Sequence, residues 1–182
     1  MEYDLVRRAQ AGDHEAFSSL AQLSVRRLFA VASRILGDTH LAEDAVQDAL
    51  VEVWQDLRGL RDPDAFGAWS MRILVRVAHR QARRSPRPAQ LDVEAIGISG
   101  PDEYAVVADQ DLLERGFRRL SIEQRTILVL RHHLGLEPAE IAEVLGIPQG
   151  TARSRLHYAH EAMRAALAAD ARRGGIQAEA VR

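Results

Sequence analysis

Apolar residues recur at every third or fourth position along most of the chain, which is the spacing of an amphipathic helix. In the first half the pattern covers four segments: Asp4 to Gln10, Glu15 to Leu36, about His40 to Leu57, and about Phe66 to Arg84. Gly-Asp pairs at residues 12–13 and 37–38 separate the first three segments, as expected of helix boundaries. Runs of alternating β-branched residues, which would predict strands, do not occur. The pattern therefore predicts an all-α protein.

The helical pattern stops after Arg84 and resumes near Asp109. Between these points the sequence "SPRPAQLDVEAIGISGPDE" holds three prolines and two glycines without a period, which is typical of a flexible linker. Further on, Ser121 and Gln124 have the spacing of a capping box. The last 13 residues, "DARRGGIQAEAVR", are expected to fray. We predict two small helical domains, residues 1–84 and 111–170, joined by a flexible acidic linker over residues 85–110 and followed by a tail over residues 171–182.

Gly146 interrupts the helical pattern of the stretch "EPAEIAEVLGIPQGTARSRL". Glycine suits a tight turn between crossing helices because it adopts positive φ without strain. After the turn, Ala152, Leu156, Ala159 and Met163 have the spacing of one buried stripe. The pattern predicts a helix-turn-helix whose second helix presents polar side chains at its start, where they contact bases and phosphates in a major groove. These residues are Gln149, Gly150, Thr151, Arg153, Ser154 and Arg155.

A bend between two helices of an ordinary bundle is the alternative interpretation of this stretch, with the polar face simply solvated. No acidic residue lies between Glu143 and Glu161, across the whole of the expected DNA-facing surface. Because acids there would repel the phosphate backbone, their absence favours DNA binding over the bundle corner.

Four carboxylates, which we call the acidic stripe, stand at four-residue spacing on the third predicted helix. They are Asp44, Asp48, Glu52 and Asp56, and no arginine lies between Arg34 and Arg58. Like charges at this spacing weaken an isolated helix by a few tenths of a kcal/mol each. The stripe therefore indicates a basic partner, with a merely solvated surface as the alternative.

The fourth predicted helix shows the opposite charge. Arg72, Arg76 and Arg80, which we call the basic stripe, stand at the same spacing and are joined by His79, Arg83 and Arg84. They lie beside a loop and helix start that carry Phe66 and Trp69. A basic face next to aromatic side chains suits a nucleic-acid backbone and an unstacked base. A solvated arginine-rich face is the alternative.

Composition changes this interpretation only in part. The net charge is −2, and the segment 85–110 alone carries one Arg against five acids. The absence of Cys excludes thiolate metal sites, and neither an apolar run of about 20 residues nor a signal peptide occurs, so we expect a cytoplasmic protein. No H-E-x-x-H spacing, P-loop or Gly-rich phosphate cradle appears, and His132-His133 fits a helix cap or surface feature. We expect no enzyme, no cofactor, no metal site and no small-molecule substrate.

Two separate blocks of the sequence resemble one family in order and spacing. The first block holds "LAEDAVQDALVEVW" and "DPDAFGAWSMRILVRVAHRQARR", and the second runs from "LSIEQRTILVLRHHLGLEP" through "AEIAEVLGIPQGTARSRLHYAHEAMRAAL". Together they resemble an extracytoplasmic-function (ECF) sigma factor of bacterial RNA polymerase. The resemblance covers residues 1–84 and about 111–168, most of the chain.

The resemblance implies a role for each face. The helix over residues 40–57 would dock on the clamp helices of the polymerase large subunit, through Asp44, Gln47, Asp48, Val51 and Glu52. The loop and helix that follow would melt promoter DNA and capture a flipped base, through Leu60, Arg61, Phe66, Trp69, Arg72, Arg76, Arg80 and Arg83. The helix-turn-helix would read the upstream promoter element, and the linker would thread toward the RNA exit path.

By the same resemblance, the partners are the polymerase core (clamp helices and flap), promoter DNA and an anti-sigma factor, which would be linked to the membrane. The sequence departs from the family at four positions. Arg76 stands where Asn is common, Arg80 lies near a usual Asp, Pro148 replaces a usual Ser, and Ala152 replaces a usual Val. Two other functions stay open: a stand-alone helix-turn-helix regulator that binds DNA without polymerase, and a sigma-like decoy for an anti-sigma factor.

Overall fold

The structure, a computed structural model, describes the chain over residues 2–84 and 113–180, with side chains described as far as residue 170. The expected linker over residues 85–110 lies outside the described residues, and so does its predicted path. Every regular element in the described residues is helical, which confirms the all-α prediction. None of the described helices has the length and apolar character needed to cross a membrane.

The helices follow the predicted segments closely. In the first half the largest difference is at the first helix, which begins at Glu2 where the sequence predicted Asp4. They are α1 (Glu2–Gln10), α2 (His14–Leu36), α3 (Thr39–Asp56), α4 (Phe66–Arg84), α5 (residues 113–118), α6 (Ile122–Leu128), α7 (Pro138–Leu145) and α8 (Gln149–Ala180). Two short 3₁₀ turns, Leu57–Gly59 and Pro63–Ala65, form the predicted loop between α3 and α4, and a π-helical turn, Val129–His133, continues α6.

The Gly-Asp pairs mark helix boundaries because each of their residues has a separate structural role. Gly37 ends α2 in the left-handed region at φ 67°, where its N–H bonds to the carbonyl of Ser33. Asp38 then caps α3 by accepting a hydrogen bond from the backbone N–H of Leu41. Asp13 caps α2 in the same manner. A side-chain oxygen at this position satisfies one of the donors that the first helical turn leaves unpaired.

The N-terminal domain packs α2 against α1, α3 and α4, and α3 against α4. Its core is formed by the apolar stripes of these helices, in which Leu20, Leu28, Ile35, Leu57 and Leu74 are fully buried. Burying a side chain of this size contributes about 1.5–3 kcal/mol relative to leaving it exposed. The apolar spacing found in the sequence thus corresponds to the buried sides of these helices.

The C-terminal domain packs α6 and α7 against α8. The predicted capping box is confirmed: the N–H of Gln124 bonds to the Ser121 hydroxyl, and the N–H of Ser121 bonds to the Gln124 side chain. Ala152 and Ala159 of α8 are buried as predicted, with Leu156 and Met163 partly buried beside them. Small residues on this stripe allow α8 to lie close to α6 and α7.

The expectation of a frayed C-terminus is wrong as far as residue 180, because α8 continues to Ala180. Within the part of α8 whose side chains are described, Asp170 is buried and accepts a hydrogen bond from Arg119. Gly116 of α5 also lies against Met163 and Leu167 at a distance that leaves little room for a Cβ atom. These contacts hold the middle of α8 against α5 and the residue that follows it.

The two histidines at the end of α6 face different neighbours. In the π-helical turn the N–H of Leu134 bonds to the carbonyl of Val129, five residues back. His132 faces α8, where its Nε2 lies 2.8 Å from Nε2 of His160. His133 faces α2, where burial and the nearby Arg34 and Arg27 lower its pKa. The two histidines therefore lie at the end of a helix, as expected, and also face neighbouring helices.

The two domains pack against each other, with α2 on α6 and the π-helical turn, and α4 on α7. Arg125 donates to the carbonyl of Leu36, at the end of α2, over 3.3 Å. Nε2 of His79 lies 2.8 Å from Oγ1 of Thr126, and the Thr126 hydroxyl donates to the carbonyl of Ile122. Because that hydroxyl proton is already used, His79 must donate from a protonated Nε2. The sequence predicted two separate domains and gave no sign of this contact.

Candidate polymerase and nucleic-acid interface

One face of α3 is open to solvent. Ala45, Ala49 and Val53 are buried, whereas Asp44, Gln47, Asp48 and Val51 are exposed. Val51 is a large apolar residue that exposes 55% of its surface. An exposed valine between carboxylates and an amide offers both apolar area and hydrogen-bond acceptors to a partner. The structure therefore brings four of the five predicted polymerase-binding residues together on one open surface.

The fifth residue, Glu52, points to α4. Its Oε2 accepts a hydrogen bond from Arg76 at 2.7 Å and its Oε1 accepts one from Arg80 at 2.6 Å. Asp48 also accepts a bond from Gln81, at 3.1 Å. The expectation that the acidic stripe has no local partner is therefore wrong for Glu52 and Asp48. It failed because the partners are on the next helix, 24–33 residues away in sequence.

The charge state of Glu52 follows from these contacts. Burial alone would favour the neutral acid, but the hydrogen bonds and positive charges of Arg80 and Arg76 outweigh it and hold the pKa of Glu52 below its usual range. Glu52 is thus a carboxylate at neutral pH. The acidic stripe and the basic stripe are joined at this point by two ion pairs.

The loop between α3 and α4 is held at both ends by polar side chains. Gln10 of α1 donates from Nε2 to the carbonyl of Leu57 at 3.0 Å and to that of Leu60 at 2.6 Å. At the other end the Asp62 carboxylate accepts from the N–H of Asp64. Leu60 is half-buried and Arg61 is exposed. The loop therefore presents Arg61 from a fixed backbone, and the role of Gln10 had no signal in the sequence.

Two aromatic residues follow this loop, and the structure separates their roles. Phe66 exposes only 2% of its surface and packs in the core. It therefore cannot stack on an extruded base in this conformation, contrary to its predicted place in a base pocket. Trp69 is half-buried, with its ring centroid 6.2 Å from that of Phe66. Phe66 lies about one turn before Trp69, on the apolar face of α4, and packs beside the Trp69 ring from the protein interior.

The remaining predicted residues of α4 lie on its solvent side. Arg72, Arg76 and Arg83 are exposed, and Arg80 is half-buried. Opposite them, Ile73, Leu74 and Val77 are buried. The helix therefore presents a continuous positive surface, part of which is engaged by Glu52.

The turn between α7 and α8 has the geometry predicted from Gly146. This residue lies in the left-handed region at φ 64°, and its N–H bonds to the carbonyls of Ala142 and Glu143. The N–H of Ile147 bonds to the Ala142 carbonyl at 3.0 Å, which closes the end of α7. A glycine in this conformation is the usual end of a helix because it has no Cβ penalty. The helix-turn-helix prediction is confirmed as a structure.

The start of α8 carries the predicted DNA-facing residues. Gln149, Gly150, Arg153, Ser154 and Arg155 are exposed and Thr151 is half-buried. The Ser154 hydroxyl donates to the backbone carbonyl of Thr151, which leaves its oxygen free to accept. Tyr158 follows on the same side and exposes 67% of its surface. It was not predicted as a site residue, although it lies about one turn after Arg155.

Comparisons with known proteins agree with this arrangement. The chain matches Sigma-70 region 2 over residues 20–87 and Sigma-70, region 4 over residues 110–163. The RNA polymerase sigma-H factor of Pseudomonas aeruginosa is 31% identical over 91% of this chain and 93% of its own length. The ECF RNA polymerase sigma-E factor of Escherichia coli K12 is 31% identical over 87% of this chain and 90% of its own length.

Solved structures show the same fold. CnrH in complex with the cytosolic domain of CnrY matches with a TM-score of 0.67 and 25% identity, over 93% of this chain and 98% of that one. The sigma factor RpoE of Bartonella quintana, in complex with the anti-sigma factor NepR, matches with a TM-score of 0.63 and 26% identity, over 85% of this chain and 98% of that one. With both sigma-70 regions present in order and relatives of this identity over nearly its full length, the chain belongs to the ECF sigma factors of RNA polymerase.

Proposed function

We propose that this protein directs the RNA polymerase core to specific promoters and begins to open their DNA. The observation that carries the proposal is the presence of two unlike surfaces on one chain. The open face of α3 offers carboxylates, an amide and an exposed valine, whereas the start of α8 offers only neutral polar and basic side chains. A stand-alone DNA-binding regulator needs the second surface but not the first.

The polymerase-binding face is formed by Asp44, Gln47, Asp48 and Val51. Charges around such an apolar centre set the rate and specificity of association, and desolvated pairs at an interface are worth a few kcal/mol. The clamp helices of the large subunit are the partner that family membership indicates. Glu52 is directed to α4 and is not part of this face.

Promoter opening is assigned to α4 and the loop before it. The exposed Arg61, Arg72 and Arg83 bind phosphates, because each neutralised phosphate releases counterions and adds sequence-independent affinity. Trp69 and the half-buried Leu60 form the apolar part of a pocket for an unstacked base. The bonds from Gln10 hold the loop in place and thereby shape this pocket.

The upstream promoter element is read by α8. Arg153 and Gln149 contact base edges, since a bidentate Arg–guanine or Gln–adenine pair discriminates by about 1–3 kcal/mol. Thr151, Ser154 and Arg155 contact phosphates and fix the register of the helix. Gly150 allows the backbone to approach the DNA closely.

We include regulation by an anti-sigma factor in the proposal because both similar structures are complexes. CnrH was solved with the cytosolic domain of CnrY, and RpoE was solved with the anti-sigma factor NepR. Anchoring of that inhibitor in the membrane is a further proposal. Pull-down of the full chain from detergent-solubilised membranes and from the soluble fraction, followed by mass spectrometry, tests both. Recovery of an inhibitor from the soluble fraction alone would overturn the anchoring.

A gel shift on a candidate promoter, with and without polymerase core, tests the main proposal. The sigma factor should give a specific complex only with core. A specific shift without core would identify a stand-alone regulator, and no shift under either condition would identify a decoy for an anti-sigma factor.

The polymerase face is tested by charge reversal. Asp44→Arg should weaken core binding at least tenfold, about 1.4 kcal/mol, because it places a like charge against a basic partner. Asp56→Arg is the matched control: it makes the same change on the same stripe, about a third of a turn away from this face. Equal core affinities for the two variants in a competition assay would contradict the proposed face.

The recognition helix is tested by comparing two neighbouring arginines on a panel of single-base promoter variants. Arg153→Ala should relax the preference at one or two positions of the upstream element. Arg155→Ala should weaken binding to every variant about equally and reduce the salt slope by about one. If neither change alters promoter selection, α8 is not the reading helix.

A further inference from the structure

We propose that Glu52 is a positioning residue that sets the DNA specificity of α4: it orients the guanidinium groups of Arg76 and Arg80 for promoter DNA and lowers their affinity for other DNA. The inference rests on the proposed role of α4 in promoter opening. It assigns Glu52 to the basic stripe and not to the polymerase-binding face.

One carboxylate, that of Glu52, binds both Arg76 and Arg80. Each oxygen of the Glu52 carboxylate accepts one hydrogen bond, Oε2 from Arg76 and Oε1 from Arg80, at 2.7 and 2.6 Å. Both bonds come from a terminal Nη2 group. An arginine has five N–H donors in a rigid fork, so the Nε and Nη1 donors of both residues are left for a second acceptor. Glu52 can thus hold the two side chains while they bind DNA.

The three side chains of this cluster differ in their exposure to solvent. The side chain of Glu52 is 22% exposed, whereas those of Arg80 and Arg76 are 38% and 60% exposed. The carboxylate therefore lies in the groove between α3 and α4, and the guanidinium groups lie over it toward solvent. An ion pair in this position is less screened by salt than a fully exposed pair. Burial alone would raise the pKa of Glu52, but Arg80 and Arg76 hold that pKa below its usual range. The Glu52 side chain is therefore a carboxylate at neutral pH.

The cluster has an effect on charge as well as on orientation. Two arginines and one carboxylate together carry a single positive charge. Affinity for arbitrary DNA depends on how many phosphates the protein neutralises, so Glu52 lowers this sequence-independent affinity. A guanidinium already held in place also loses less conformational entropy when it makes a specific contact. Both effects act in the same direction, toward a larger ratio of promoter binding to non-specific binding.

Neighbouring groups show that this arrangement is particular to Glu52. Asp48 meets the neutral amide of Gln81, so it offsets no arginine. Asp56, the last member of the acidic stripe, is exposed and is bonded to neither arginine in the described structure. Removing the charge of Asp56 therefore controls for the net charge of the stripe without disturbing the arginines.

The test uses the polymerase holoenzyme assembled with three variants. Glu52→Gln removes the charge and replaces one acceptor oxygen with an NH2 group, so it can accept a hydrogen bond from only one of the two arginines. Glu52→Asp keeps the charge but is one methylene shorter, so it should hold the two arginines less firmly. Asp56→Asn is the control. Helical circular dichroism and core affinity are measured for each, to show that all three are folded and assembled.

Two measurements separate orientation from charge. The first is binding to duplex DNA without a promoter as a function of salt, and the second is promoter opening detected by permanganate. Glu52→Gln should bind non-specific DNA with a salt slope steeper by about one, and it should open the promoter less. The ratio of promoter to non-specific affinity should fall about fivefold, the low end of what one well-placed arginine contributes. Glu52→Asp should reduce opening while the salt slope stays as in the wild type.

The result that overturns the inference is a Glu52→Gln variant that behaves as Asp56→Asn does in both measurements. A double variant, Arg76→Ala with Arg80→Ala, distinguishes this failure from that of the proposed function. If the double variant loses opening while Glu52→Gln does not, only the role of Glu52 fails. If the double variant opens promoters normally, the role of α4 fails and the role of Glu52 fails with it. In the supported case, Glu52→Gln has no further effect in the double-variant background.

Discussion

Single polar side chains decide where several helices of this protein begin. Asp13, Asp38 and Ser121 each accept a hydrogen bond from a backbone N–H three residues later. At this scale the sequence is a good guide, because a cap and the group it satisfies are three residues apart. Ser121 with Gln124 was recognisable as a capping box for this reason. Contacts between residues on different helices have no such local signature.

Ser121→Ala should lower the free energy of unfolding by about 1 kcal/mol, since the N–H of Gln124 loses its partner. Urea denaturation of the full chain, followed by circular dichroism, measures the change. Ser18→Ala removes the same hydroxyl from an exposed position within α2 and should be close to neutral. Equal midpoints for the two variants would show that the cap does not stabilise α6.

At the scale of elements, the helix-turn-helix depends on one backbone conformation. Gly146 ends α7 at φ 64°, and a Cβ atom there would meet no heavy atom within 4 Å. The requirement for glycine is thus conformational and not steric. The sequence predicted this turn correctly, because an interrupted apolar period and a glycine are both local. It did not predict that Glu52 meets Arg76 and Arg80, since periodicity assigns faces to helices but not the neighbour that each face meets.

Gly146→Ala should destabilise the protein by about 1–2 kcal/mol, the cost of a Cβ atom in the left-handed region. Gly150→Ala, four residues later, makes the same change inside the first turn of α8, where no heavy atom would lie within 4 Å of the new methyl group. It should stabilise the protein by up to about 1 kcal/mol, because alanine loses less entropy in a helix than glycine. Thermal unfolding of both variants provides the comparison, and shifts of the same sign would contradict it.

At the scale of the whole molecule, the two domains are in contact through His79 and Thr126, with Arg155 of the recognition helix close enough to affect the charge of His79. The proposed function has α4 and α8 contact different parts of the promoter. In this arrangement Arg155, near the start of α8, lies close enough to His79, near the end of α4, to affect its charge. We therefore expect the domains to separate when the polymerase and promoter bind.

The contact between domains should weaken in acid. Burial, helped by Arg83 and Arg155 and opposed by Glu123, lowers the pKa of His79. The packed form thus binds fewer protons than the separated form, so its stability is full above the ordinary histidine pKa of about 6.5 and is lost as the pH falls below that value. The chain has no Cys, so dyes attached at Ser18→Cys and Ala165→Cys can report the separation by energy transfer.

Energy transfer between these dyes should stay constant from pH 7.5 down to about 6.5 and decrease as the pH falls further. His79→Gln should lose most of this pH dependence, because its side chain still donates to Thr126 but does not titrate. The exposed His40→Gln is the control and should behave as the wild type. A pH response that survives in His79→Gln would assign the effect to another group, of which His133 is the first to test, since burial lowers its pKa as well.

The π-helical turn at Val129–His133 has an evolutionary consequence. It closes with a bond five residues long where an α-helix uses four, so it contains one residue more than the regular helix would. Each residue rotates a helix by about 100°, so removing or adding one here would turn the side chains at the end of this turn by that angle relative to α6. His132 and His133 would then no longer face α8 and α2. Among descendants of this gene, the length of this turn should therefore stay fixed even where its exposed residues are substituted.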